Sequence, residues 1–201
     1  MKKIFAAFLV FALILTGCSG KMSDSSKPIE SLNHAPADSS EASVSDMASA
    51  AAEEKGSLPG SYTLPEGWVK AEKYSTNDKI FYVEEGHEND EAPDNISINV
   101  GTNRYSANEH ETFREAIVQQ LLRQLQGIDA DLGGDGTHTE QGYIVYIFTI
   151  KESDVVTKQY YIVDDYRYCL IHLTNFTESE SAYDAAQTIA DSFVWENAEN
   201  D

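Results

Sequence analysis

One run in the second half of the chain, YIVYIFTI (143–150), restricts the folds open to this protein. Alternate residues of a strand face opposite sides of its sheet. Both sets are apolar in this run, namely Tyr143, Val145 and Ile147 on one side and Ile144, Tyr146 and Phe148 on the other. An antiparallel strand with one face in water would alternate apolar and polar residues instead. The run therefore predicts a strand covered on both faces, in a sheet with helices packed on each side.

The rest of the body predicts further strands and two helices. Strand-like patterns cover 68–74, 79–84, 95–101, 142–151, 155–163 and 167–175. A first helix begins at a capping box, formed either by Ser106 and Glu109 or by Asn108 and Glu111, and runs to about residue 126. A second helix spans 181–192. The sequence therefore predicts an α+β fold, an antiparallel β-sheet flanked by helices as an α/β/α sandwich.

Two short motifs bracket this body, LPEGW (64–68) and TIADSFVW (188–195). With the order of elements between them, the chain resembles the PsbP-like superfamily over roughly residues 62–196. The resemblance implies an antiparallel sheet in an α/β/α sandwich and a non-enzymatic binding or assembly role. It implies no catalytic residue, because that family shares no catalytic motif.

The N-terminus indicates export. Lys2 and Lys3 precede an apolar run of about a dozen residues, which suits a signal peptide and is shorter than the roughly 20 residues of a spanning helix. The run ends in LTGC (15–18), which resembles a bacterial lipoprotein lipobox. We expect a signal peptide at 1–17, lipidation (palmitate) at Cys18, and a membrane anchor on the extracytoplasmic face of the cell membrane. The alternative is a secreted protein with a chance cysteine.

The segment after the cysteine has the composition of a disordered chain. Residues 19–61 contain no aromatic side chain and are dominated by Ser, Ala, Glu, Asp and Pro. Such a segment buries too little apolar surface to offset its ordering entropy. We therefore expect a lipidated cysteine and tether at 18–61, one globular PsbP-like domain at 62–197, and a tail at 198–201.

The charge of the chain limits its partners. The formal net charge is −20 at pH 7. Nucleic acids and anionic lipid surfaces are gripped by Lys and Arg, so we expect no nucleic-acid partner and anchoring through the lipid alone. An acidic exterior can attract cations or a basic partner.

A calcium site is one hypothesis for DADLGGDGTHTE (129–140), which partly follows the spacing of an EF-hand loop. The candidate metal ligands are the carboxylates of Asp129, Asp131, Asp135 and Glu140. The fifth position is Gly133, which offers no side-chain oxygen. The composition favours a glycine-rich turn between a helix and a strand. No other cofactor is expected.

Tyrosines are concentrated in the last three predicted strands. If several face outward together, they form a flat patch for a glycan or a protein. The candidates are Tyr146, Tyr160, Tyr166 and Tyr168. The alternative is that they pack in the core, the usual place of aromatic residues in strands.

The expected function is that of a non-enzymatic, lipid-anchored binding or scaffolding lipoprotein of the cell envelope, with an envelope protein or glycan as partner. A calcium- or metal-binding accessory protein is the second hypothesis. An envelope hydrolase is the third, because the sequence suggests no paired nucleophile and base. Cys169 lies in a strand-like run and is expected to be a buried core residue.

Overall fold

The structure, a computed structural model, describes residues 58–196 of the 201-residue chain. Its strands are β1 (Gly60–Ser61), β2 (Trp68–Lys70), β3 (Lys79–Glu84), β4 (Asn95–Thr102), β5 (Asp131–His138), β6 (Ile144–Lys151), β7 (Val156–Asp164), β8 (Arg167–Asn175) and β9 (Val194–Trp195), and its helices are α1 (His110–Gln124) and α2 (Glu180–Ser192). Seven strands form one antiparallel sheet in the spatial order β2–β3–β4–β8–β7–β6–β5. β1 and β9 form a separate antiparallel pair.

One helix covers each face of the sheet. Strand β6 shows both packings, because Val145 belongs to the core on the α2 side whereas Phe148 packs against Tyr161 on the α1 side. Helix α2 buries its alanine-rich stripe together with Ile189, and Phe193 follows it into the core. The predicted α+β sandwich with both faces covered is confirmed.

A hydrogen-bonded turn determines where α1 begins. The Glu109 carboxylate accepts hydrogen bonds from the backbone N–H of Ser106 at 3.0 Å and from its hydroxyl at 2.9 Å. These bonds lower the pKa of Glu109. The Asp165 carboxylate accepts a further bond from the N–H of Ala107 at 2.7 Å and so joins this turn to the β7–β8 connection. The first of the two capping boxes offered by the sequence is the one that forms.

The domain begins earlier than its composition suggests. Leu58 is buried, and β1 pairs with β9 so that Gly60 lies opposite Trp195. The predicted boundary between tether and domain at residue 62 is therefore wrong by at least four residues. Composition alone misses them because a two-residue strand and a single leucine leave no periodic pattern. The predicted signal peptide, most of the tether and the tail lie outside the described residues.

Two other boundaries differ from the predictions. β2 ends at Lys70, because the chain turns there and the N–H groups of Tyr74 and Ser75 both bond to the carbonyl of Ala71. The glycine-rich segment expected to be a loop is strand β5, paired along its whole length with β6.

A histidine lies on the α1 face of the central strands. His172 in β8 is opposite Ser97 in β4 and Gln159 in β7. Burial of the imidazole, with a smaller effect of the nearby Lys79 ammonium, lowers the pKa of His172 to about 4. The folded protein therefore holds this ring neutral where an unfolded chain would begin to protonate it.

We expect this histidine to make the fold sensitive to acid. Between about pH 6.5 and pH 4, unfolded His172 binds a proton and the folded form does not, so its contribution to stability is complete above that range and is lost as the pH falls through it. Urea unfolding at about pH 7.5 and about pH 4.5 should show a larger loss of stability for the wild type than for His172→Gln. Equal losses in the two proteins would contradict this expectation.

Candidate functional site

A cleft of about 350 Å³ lies between α1 and the β5 edge of the sheet. It is lined by Glu111, Arg114 and Val118 of α1, by Gly134, Asp135 and Gly136 of β5, and by Tyr146 and Phe148 of β6. The three α1 residues recur at helical spacing, so they share one side of the helix, next to the stripe that packs on the sheet. Below we call this space the cleft.

Two glycines leave room for the cleft. The β5–β6 register places Gly134 opposite Phe148 and Gly136 opposite Tyr146. A side-chain β-carbon at either glycine would stand 3.7 Å from the facing ring, an ordinary contact distance. A longer side chain there would extend over the ring and occupy the cleft. The space exists because β5 carries no side chain at these positions.

The polar end of the cleft is organised around Tyr146. Its hydroxyl is 2.6 Å from Nδ1 of His110, and the two rings stack with centroids 6.1 Å apart. The Arg114 guanidinium lies 5.8 Å from the centre of the Tyr146 ring, within the range of a cation–π contact. Burial raises the pKa of Tyr146, Glu111 adds to the shift and Arg114 opposes it. The phenol therefore stays protonated at neutral pH and serves as a hydrogen-bonding group.

The predicted calcium ligands do not lie on a loop. Asp131 and Asp135 are in β5 and face the same side of the sheet, four residues apart, which in a strand is roughly 13 Å. Glu140 lies beyond β5, where its N–H bonds to the carbonyl of Asp191 in α2. Asp129 is exposed ahead of the strand.

The loop geometry on which the calcium prediction rested is therefore wrong, because pairing with β6 extends the segment. Within residues 58–196, no group of three or more His, Cys, Asp or Glu side chains is arranged to hold a metal ion. Calcium binding itself stays a prediction.

The predicted tyrosine patch is wrong as a surface. Tyr160 is buried on the α2 side, and Tyr168 is buried on the α1 side against Phe113. Tyr166 is 59% exposed, in the tight turn between β7 and β8 where its φ of 58° is left-handed. Only Tyr146 of the four lines the cleft. Because both faces of the sheet are covered, tyrosines of its inner strands pack inward.

The cysteine prediction is confirmed for the residue that the structure describes. Cys169 is completely buried in the core on the α2 side, and burial raises the pKa of its thiol. A thiol with a raised pKa is a poor nucleophile at neutral pH. The predicted lipidation site, Cys18, lies outside the described residues.

The sequence contains parts of the cleft but does not bring them together. Its patterns predict Asp135 in a metal loop and Tyr146 in an aromatic patch, and they assign His110 to no site. The available signal was the alternation of glycines at 134 and 136, since residues two apart in a strand share a face. Glycine within a strand often marks a place where another group approaches closely.

No family model and no curated protein matches the chain. Among solved structures, the chain is similar to cyanobacterial PsbP (CyanoP) from Synechocystis, at 11% identity over 68% of this chain and 86% of that one, with a TM-score of 0.44. It is also similar to a protein from Bacteroides thetaiotaomicron at 11% identity, covering 73% of this chain and 48% of that one, with a TM-score of 0.40.

Neither helix in the described part of the chain is long and apolar enough to cross a bilayer.

Proposed function

We propose that this protein is a lipid-anchored, extracytoplasmic binding domain of the cell envelope, and that it holds its partner at the cleft. The observation that carries the binding role is the cleft itself, where the aromatic rings of Phe148 and Tyr146 lie beside the charged Arg114 and Glu111. Tyr146 is in turn hydrogen-bonded to His110. Concave surfaces with an apolar lining and a few fixed polar groups are the usual form of a binding site. The lipobox-like LTGC (15–18) supports the anchor.

The electrostatics of the cleft favour binding over catalysis. A catalytic base works best with a pKa near the working pH, whereas the pKa of Tyr146 is raised above its already high ordinary value. The hydrogen bond between this residue and His110 fixes both rings. Fixed rings and a nearby guanidinium give a pre-organised surface, which lowers the entropic cost of holding a partner.

The anchor is tested by the Cys18→Ser variant. Metabolic labelling with an alkyne fatty acid should label the wild type and leave the variant unlabelled, because the serine hydroxyl does not replace the thiol as the lipid acceptor. Cys169→Ser is the matched control and should label like the wild type, since that thiol is buried in the core. Label retained by Cys18→Ser would place the anchor elsewhere.

The cleft is tested by photocrosslinking in the native cells. A photoreactive amino acid at Val118, within the cleft, should yield a defined crosslinked product. The same amino acid at Glu85, an exposed position in the β3–β4 connection, should not. Products of equal yield from both positions, or none from Val118, would contradict the proposed site.

A further inference from the structure

We propose that the free edge of β5 accepts an extended, basic polypeptide segment as an eighth strand of the sheet. This inference rests on the proposed function and specifies its partner. Among residues 58–196, one side of β5 (Asp131–His138) has no neighbouring strand, and β5 ends the sheet order next to β6. We call this side of β5 the open edge.

The hydrogen bonds show which backbone groups face outward. In the turn after β5, the N–H of Thr139 bonds to the carbonyl of Tyr143, so odd-numbered residues of β5 bond to β6. Even-numbered residues of an antiparallel strand then direct both backbone groups away from that neighbour. The N–H of Gly136 fits this outward direction, because it bonds at 2.8 Å to the carboxylate of Asp135 rather than to β6. The outward-facing residues are Leu132, Gly134, Gly136 and His138.

The open edge lacks most of the devices that protect edge strands. Natural sheets blunt their edges with short strands, prolines, bulges or a covering element. β5 has eight residues and no proline, and seven of the eight are exposed. Its three glycines leave the backbone unshielded by side chains. Within the described residues, the Asp135 carboxylate is the one group that hydrogen-bonds to an outward-facing amide of β5. An incoming strand needs to displace only that side chain.

The two faces of β5 define the chemistry of the incoming strand. On the α1 side, its residues opposite Gly134 and Gly136 would enter the cleft above Phe148 and Tyr146. Large apolar or aromatic side chains fill such space, since they cover a glycine across the strand. On the other side, its residues would lie opposite the exposed Asp131 and Asp135. Lys or Arg pairs favourably with these carboxylates across the strands.

The same charges disfavour a second copy of this chain at the open edge. An antiparallel pairing of two β5 strands would bring Asp131 and Asp135 of one copy beside those of the other. Like charges on neighbouring strands are destabilising, and the whole chain carries −20. Charge complementarity therefore selects a basic partner in which apolar and basic residues alternate.

A designed peptide tests the inference with the full-length protein in detergent. The probe has eight residues, with Phe and Val on one strand face and two Lys, four positions apart, on the other. By fluorescence anisotropy it should bind at least about tenfold more tightly than a peptide of equal composition whose lysines lie on opposite faces, a difference of about 1.4 kcal/mol. Equal affinities would overturn the inference.

A charge reversal adds a matched pair of variants. The double variant Asp131→Lys with Asp135→Lys should bind the lysine probe at least about tenfold more weakly. It should bind a probe with glutamates in place of the lysines more tightly than the wild type does. Glu85→Lys with Glu91→Lys changes the net charge equally in the β3–β4 connection and should leave the affinity unchanged. If both double variants lose affinity for the probe to the same extent, the attraction comes from the net charge and the inference fails.

Hydrogen exchange locates the added strand. The lysine probe should slow exchange of the Gly134 and His138 amides at least about tenfold, because an added strand bonds to them. Binding without this protection would place the peptide elsewhere and overturn the inference, as would self-association through β5. Crosslinks from Val118 in cells together with no binding of either peptide would leave the proposed function standing and remove the strand-addition mechanism alone.

Discussion

Replacing Phe113 by alanine should lower the free energy of unfolding by about 3–5 kcal/mol. Phe113 is 1% exposed and is the aromatic residue by which α1 packs on the sheet. Its ring centre lies 5.9 Å from that of Tyr161 and 5.5 Å from that of Tyr168. The ring of Tyr105 completes the cluster at 6.2 Å. Alanine would leave a cavity beside the rings of Tyr161 and Tyr168, which the sheet holds in place so that they cannot collapse into it.

Urea unfolding followed by far-ultraviolet circular dichroism measures this loss. Thr112→Ala is the matched control, because Thr112 is the exposed neighbour on the same helix and should change stability by no more than about 0.5 kcal/mol. A change below about 1 kcal/mol for Phe113→Ala would mean that α1 does not close this face of the sheet.

A chain that begins at Tyr62 should be less stable than one that begins at residue 56, by roughly 1.5–3 kcal/mol. The shorter chain lacks Leu58, which is 4% exposed, and it lacks β1. Without β1, Trp195 of β9 loses its strand partner. The Arg167 guanidinium, 4.2 Å from the centre of the Trp195 ring, would then cover a more exposed indole.

Thermal or urea unfolding of the two chains measures the difference, and Leu58→Ala in the longer chain separates side-chain burial from strand pairing. We expect this variant to lose much of the same stability, because burial of the leucine is the larger contribution. Equal stability of the two chains would restore the boundary at residue 62 that composition suggests.

The cleft could not be assembled from the sequence, because its parts meet only through the sheet. His110 and Tyr146 are 36 positions apart, and no local pattern relates them. They meet because α1 packs against β6, β7 and β8, and β6 is the second strand from the edge. The alternating glycines at 134 and 136 were visible, but glycine is depleted in strands, so local propensity favoured a turn.

The buried tyrosines show a different limit. The sequence already indicated that both faces of 143–150 are covered, and the same reasoning applies to the neighbouring strands. Tyr160 and Tyr168 are buried accordingly, on opposite faces. Their position in the middle of the sheet follows from strand order, in which β8 and β7 lie between β4 and β6.

The features of this fold that follow from the sequence are those that short-range periodicity encodes. The two-sided apolar run predicted the class of fold correctly, and one of the two capping boxes that the sequence offers marks the start of the first helix. Both are local signals, because the spacing of residues along one element decides which of them share a face. Tertiary structure alone decided that β5 is a strand, that β1 completes the domain, and that a cleft opens beside α1. Each of these depends on pairing or packing between distant segments, whose free energy outweighs the local preferences of glycine and of a two-residue strand.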